Sequence, residues 1–142
     1  MSLYILDKDG TIVFAPPGKI PRKPEEQTLM PGVAETCASL IEAGDILAVA
    51  SNQGGVAMGY LTLEEAEALV RDAAQKIGAA FYEFCPYHPQ GTIPEFTKDA
   101  ICRKPSPGMI VELQRRTGVA WRDIVFVGNS PEDWQAALAA GV

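Results

Sequence analysis

Leu3-Tyr4-Ile5-Leu6-Asp7-Lys8-Asp9-Gly10-Thr11 is an apolar run that breaks off into two aspartates one residue apart, followed by Gly-Thr. In a strand, residues i and i+2 face the same side, and a glycine immediately afterwards lets the chain turn away. Asp7 and Asp9 are therefore expected to converge on one point at the carboxyl end of a buried strand. Two like charges held there repel, and a bound Mg²⁺ removes that cost. A turn that is simply rich in Asp and Gly is the alternative. It is the weaker reading, because three further polar signals follow later in the chain, each beside an apolar run. Lys8 has the other parity and is expected to be an outward-facing charge.

Working outward, strand and helix signals alternate, which predicts an α/β fold with a mostly parallel sheet flanked by helices. Leu3 to Leu6, Ile46 to Ala50, Ala80 to Phe84 and Ile124 to Val127 read as buried strands. The segment from Val33 to Ala43 reads as a helix with Val33, Cys37, Leu40 and Ile41 on one face and Gly44 as its stop. Thr62 and Glu65 form a capping box ahead of a helix running to about Ile77. Ser106-Pro107 and Ser130-Pro131 each place a capping hydroxyl before proline at the first helical position. Ligands in open α/β sheets bind outside the carboxyl ends of the strands, where helix amino termini offer unpaired N–H groups. All the polar signals fall on that edge.

The connection from Val13 to Met30 contains Pro16, Pro17, Pro21 and Pro24 and reads as a loop, too short for a separate cap domain. A second loop between Phe84 and Arg103 carries Pro86, Pro89, Gly91 and Pro94. The site is expected to have little cover, and substrate selectivity is expected to lie around Lys19 to Lys23 and Pro86 to Cys102.

A chain of 142 residues that is 47% hydrophobic suits one domain with a sizeable core. Its net charge of −6 gives no broad basic footprint for nucleic acid or an anionic membrane. Three cysteines at irregular spacing do not make a disulfide framework, and no signal segment opens the chain. A reducing cytoplasm is the expected setting. No apolar run approaches the length of a membrane span.

Asp7-x-Asp9-Gly10-Thr11 resembles the first motif of the haloacid dehalogenase (HAD) superfamily of phosphohydrolases. Ser51-Asn52-Gln53 after Ile46 to Ala50, Arg103-Lys104-Pro105, and Gly128-Asn129-Ser130-Pro131-Glu132-Asp133 after Ile124 to Val127 resemble the second, third and fourth motifs, in order. Finer detail is similar to the histidinol-phosphate and D-glycero-D-manno-heptose 1,7-bisphosphate phosphatase branch. That detail lies in Ser51 to Val56, in Cys85-Pro86-Tyr87-His88-Pro89-Gln90-Gly91 and in Cys102 to Met109.

The resemblance implies a Mg²⁺-dependent phosphatase with Asp7 as nucleophile, forming an aspartyl-phosphate, and Asp9 as general acid and base. Ser51 and Lys104 complete the catalytic set by holding the transferring phosphoryl. Gly10, Thr11, Asn52, Gln53 and Arg103 are placed around the substrate, and Asp7, Asp9, Asn129 and Asp133 around magnesium. Two departures stand out. Asn129 occupies a position where the family has Asp, so metal affinity is expected to fall. Asp133 is read as orienting the metal's water shell or pairing with Lys104, or else as a reciprocal helix cap for Ser130, a role that the shorter Asp fits less well than Glu.

The second departure concerns a loop zinc site found in the heptose branch. Tyr87 stands at the expected His position, His88 comes one later, and Ala100 replaces the first of two later cysteines. Cys85, His88 and Cys102 remain, one ligand short of a closed tetrahedral site. Zinc is not expected, Cys85 and Cys102 are read as small buried hydrophobes, and Cys37 is read as core. Relatives normally continue into another strand after Val142, so the neighbouring edge is expected to be filled by a partner or by a longer chain.

Three functions follow from this reading. The favoured one is a Mg²⁺-dependent phosphatase of a small phosphorylated substrate, sugar phosphates first. The second is a polynucleotide 3′-phosphatase acting on a nucleic-acid end, and the third is a non-catalytic binding protein on the same scaffold.

Overall fold

The computed structural model describes residues 1–14 and 20–142. The bridge from sequence to fold is strand parity. β1 (Leu3–Leu6) pairs in parallel with β4 (Ile46–Asn52) on one side and β6 (Ile124–Val127) on the other, and β4 pairs in parallel with β5 (Phe81–Cys85). The sheet order is β5-β4-β1-β6. The chain thus moves outward from β1 through β4 to β5, then returns to the far side of β1, a reversal that opens a crevice at the carboxyl ends of β1 and β6.

Alternate residues of each strand feed two cores. Leu3, Ile5, Ala48 and Ala50 pack with Met109, Ile110 and Leu113 of α3 (Gly108–Thr117) and Ala136 and Ala137 of α4 (Pro131–Ala140). Leu6, Leu47 and Val49 pack on the opposite face with Cys37 of α1 (Val33–Glu42) and Val70, Ala73, Ala74 and Ile77 of α2 (Leu63–Ile77). The Thr62 hydroxyl accepts from the Glu65 N–H and the Glu65 carboxylate accepts from the Thr62 N–H, so α2 starts at the expected box. The parallel sheet with helices on both faces agrees with the sequence reading.

Several local expectations are corrected. The segment after β1 is more than a loop, since β2 (Val13–Phe14) pairs antiparallel with β3 (Thr28–Leu29) in a small hairpin. Pro16, Pro17 and Lys19 lie outside the described residues. Ile41 is 41% exposed instead of sharing the buried face of α1, because its side chain reaches over the end of α2 at Gly78. Ser106 does not cap α3, which begins one residue later with Pro107 in the cap position. Gly108 is needed there because a Cβ would collide with the Ile101 carbonyl oxygen. β6 is less buried than expected: Val125 and Val127 are half-exposed, as residues at a sheet edge are. Among the described residues, no helix is long and apolar enough to cross a membrane.

Candidate active site

Parity carries Asp7, one step past the end of β1, onto the face of Leu3 and Ile5, where α3 and α4 lie. There its Oδ1 accepts from Lys104 Nζ at 2.7 Å, and Lys104 Nζ also donates to the Ala50 carbonyl (3.0 Å) and to Asp133 Oδ1 (2.5 Å). Lys104 and Asp133 are both nearly inaccessible. A buried ammonium is tolerated only where its donors are matched, and here all three have an oxygen.

Asn52, also on that face at the end of β4, holds the loop that delivers Lys104. Its Nδ2 donates to the Lys104 carbonyl (3.0 Å) and its Oδ1 accepts from the Lys104 N–H (2.9 Å). The resemblance places Asn52 at the substrate; in the structure it lines the cleft and also makes this positioning contact.

Asp133 pairs with Lys104 and caps its own helix at once. Oδ1 meets Lys104, while Oδ2 accepts from the Asn129 N–H (3.1 Å), the Ser130 N–H (3.2 Å) and the Ser130 hydroxyl (3.0 Å). The reciprocal cap and the Lys104 ion pair use different oxygens. Both oxygens are thereby engaged by the chain.

The two carboxylates Asp7 and Asp133 share one ammonium. Burial pushes the Asp7 carboxyl above its ordinary range, Lys104 opposes that rise, and the nearby Asp133 adds to it. The site is thus short of positive charge, and its open donors are oxygens. That combination fits Mg²⁺, a hard cation that takes oxygen ligands. Asn129 lies against Gly10, whose φ is +81° and whose missing Cβ would collide with Asn129 Nδ2. That backbone conformation favours glycine at position 10, and a Cβ there would push the Asn129 side chain aside.

Asp9 sits above this cluster with its carboxylate more than half exposed. Gln53 Nε2 donates to Ser51 Oγ at 2.8 Å and reaches Asp9 Oδ2 at 3.5 Å, and the Thr11 hydroxyl reaches Asp7 Oδ2 at 3.4 Å. Ser51 is buried behind Gln53, on the opposite sheet face from Asn52. A cleft of about 270 Å³ is lined by Asp7, Asp9, Asn52, Arg103, Lys104, Asn129 and Glu132, among others. That space suits a phosphoryl group and part of a small molecule. Arg103 Nη1 donates to the Tyr87 carbonyl (3.4 Å); burial lowers its pKa, and Glu132 opposes the change.

Two expectations fail here. Lys8 is not an outward-facing charge: it is 1% exposed, with Nζ 2.7 Å from Asp9 Oδ1 and 2.6 Å from Gln27 Oε1. The buried Gln27 that meets it, 19 positions along the chain, was invisible to a reading of β1 alone. Cys85 and Cys102 are not separate buried hydrophobes, because they form a disulfide that ties the end of β5 to the residue before Arg103. His88 Nδ1 accepts from the Gln90 N–H, and burial, with Arg103 nearby, lowers its pKa. Cys37 is buried and unbonded, as expected.

Sheet order, helix placement and motif order define a phosphatase domain of the HAD superfamily, a phosphoric monoester hydrolase. Residues 2–137 match the sequence model described as polynucleotide kinase 3 phosphatase, and the chain belongs to that family. It is 35% identical over 144 residues to D-glycero-beta-D-manno-heptose-1,7-bisphosphate 7-phosphatase of Yersinia pestis, covering 96% of this chain and 74% of that one. The enzyme of the same name from Pseudomonas putida is 36% identical, covering 99% of this chain and 79% of that one. Among solved structures, D,D-heptose 1,7-bisphosphate phosphatase from B. bronchiseptica, complexed with magnesium and phosphate, superposes with a TM-score of 0.82 at 29% identity, covering 99% and 76% of the two chains. A HAD-like phosphatase from Mesorhizobium loti gives 0.86 at 31% identity, covering 99% and 69%.

Proposed function

We propose that the protein hydrolyses a small sugar phosphate, of the heptose bisphosphate or histidinol phosphate type, through an aspartyl-phosphate on Asp7. The observation that carries this reading is Lys104 Nζ bridging Asp7 and Asp133 at the floor of a cleft whose upper wall is Asp9. An Asp7 carboxylate oxygen attacks phosphorus, the bond from phosphorus to the sugar oxygen breaks, and a proton on Asp9 passes to that oxygen. Water then attacks the same phosphorus and gives its proton to Asp9, and the bond to Asp7 breaks, releasing phosphate. Lys104 holds the position of Asp7 and offsets charge on the phosphoryl oxygens. Arg103 stands at the cleft wall to meet a further hydroxyl or anionic group of the substrate.

Asp7, the Asp9 main-chain carbonyl and Asn129 are the groups to hold Mg²⁺, with Asp133 fixing the Asn129 backbone from behind. When bound, the ion neutralises charge on the transferring phosphoryl. The similar phosphatase from B. bronchiseptica, whose crystal structure is complexed with magnesium and phosphate, supports that assignment.

The description of the matched family keeps a polynucleotide 3′-phosphatase as the second reading. The test is phosphate release from heptose 1,7-bisphosphate, histidinol phosphate and a 3′-phosphorylated oligonucleotide, with Mg²⁺ or chelator, beside Asp7→Asn. Release that needs Mg²⁺ and is lost in a folded Asp7→Asn is expected with the sugar substrate. Preference for the oligonucleotide supports the second reading. Undiminished turnover by Asp7→Asn removes the nucleophile assignment.

A further inference from the structure

Lys8 is among the largest fully buried side chains of the protein, yet its ammonium sits in no catalytic contact with Asp7. Parity sends it to the face of Leu6, and from there Nζ turns back to Asp9. Its second partner, Gln27, is itself buried, and Gln27 Nε2 is anchored to the Leu69 carbonyl (3.0 Å) and to Asp72 Oδ2 (3.1 Å) of α2. Lys76 Nζ then binds Asp72, the Pro24 carbonyl and the Gln27 carbonyl. A chain of polar contacts therefore runs from α2 to one oxygen of Asp9. Gln27 is neutral, so the only anion in contact with buried Lys8 among the described residues is Asp9. A buried ammonium without an anion is costly, which keeps this pair together although Asp9 itself is largely exposed.

We infer that Lys8 is a positioning residue: held by Gln27, it fixes Oδ1 of Asp9, so that Oδ2, the oxygen on the Gln53 and Ser51 side, is the one that exchanges protons with the leaving group and with water. This rests on the proposed acid–base role of Asp9.

The discriminating readout is leaving-group dependence. An alkoxide needs its proton as it departs, whereas 4-nitrophenolate leaves with little help. Because kcat/KM reports only steps up to phosphoryl transfer to Asp7, a misplaced acid lowers it for the first substrate class far more than for the second. Wild type, Lys8→Met, Lys8→Arg, Gln27→Leu and Asp9→Asn are compared on heptose 1,7-bisphosphate and 4-nitrophenyl phosphate, with circular dichroism to confirm folding.

Lys8→Met is expected to lose tenfold or more in kcat/KM on the heptose substrate and about threefold or less on the aryl ester, with Lys8→Arg restoring most of the loss. Equal losses on both substrates by a folded Lys8→Met overturn the inference, because a merely structural role lowers both together. Should Lys8→Met not fold, Gln27→Leu decides by the same skew, present or absent. Asp9→Asn separates the two levels: skew there but none at Lys8 removes this inference alone. No skew at Asp9, or no turnover by wild type, removes the acid–base reading and the inference with it.

Discussion

Lys104 Nζ and Asp7 Oδ1 lie 2.7 Å apart although 97 positions separate them in the chain, and the lysine is one of the least accessible in the protein. The contact joins the end of β1 to the loop before α3, and Asp133 at the start of α4 closes the same cluster. Removing the cation leaves two buried carboxylates facing each other. Lys104→Met is expected to destabilise the fold by about 3–5 kcal/mol and to reduce kcat at least a hundredfold, read by urea denaturation and phosphate release. A variant of unchanged stability would show that the pair does not anchor these segments.

Asn129→Asp restores a negative charge beside Asp7. Mg²⁺ binding is expected to tighten and activity at low Mg²⁺ to rise, because ligand charge count raises affinity for a divalent cation. Isothermal titration of the two proteins checks this; superimposable curves would remove Asn129 from the metal site.

Gly10 makes room for the Asn129 side chain and holds a positive φ. Gly10→Ala is expected to cost about 1–2 kcal/mol from the backbone alone and to weaken Mg²⁺ binding by displacing Asn129. Thermal melts with and without Mg²⁺ separate the two effects, and a smaller Mg²⁺-induced rise in Tm than wild type is the expected sign.

Glu83 on β5 gives a pH test remote from the site. Burial raises its pKa, Arg116 opposes that rise, and Glu112 adds to it. A carboxyl whose pKa is raised by folding favours the native state below its unfolded pKa. That advantage is lost as pH rises through the folded value. At neutral pH the ionised group therefore opposes folding, so Glu83→Gln is expected to raise Tm at pH 7, with the gap closing below about pH 4, where both side chains are neutral. A gap that persists or widens at low pH would contradict the assignment.

The Cys85–Cys102 bond, across a sequence separation of 17, closes a loop that carries Tyr87, His88 and the approach to Arg103 and Lys104. Reduction, or Cys85→Ser with Cys102→Ser, is expected to cost about 3 kcal/mol of stability and to raise KM by loosening Arg103. Denaturation with and without dithiothreitol measures the first effect and steady-state kinetics the second. Identical curves, with free thiols found at both positions by peptide mapping, would show that the two cysteines are not bonded in solution.

The alternation of apolar runs with capped helices was enough to place the four strands, the α2 capping box and the α/β class, because periodicity and capping are local properties of the chain. Placing Asp7, Asn52, Lys104 and Asn129 at the same sheet edge also needed no coordinates, since each polar motif follows a strand or precedes a helix. What the sequence could not supply was the occupant of each face. Parity put Lys8 opposite Asp7, but only the fold brought buried Gln27 against its ammonium and closed that side off instead of leaving it solvated. Likewise, the Lys104 pairing and the helix cap read for Asp133 proved compatible because its carboxylate has two oxygens, and the folded chain points one at Lys104 and the other at its own helix start. Cys85 and Cys102 met for the same reason: β5 and the Lys104 loop are brought together by the sheet, and contacts between segments distant in sequence leave no local trace in either.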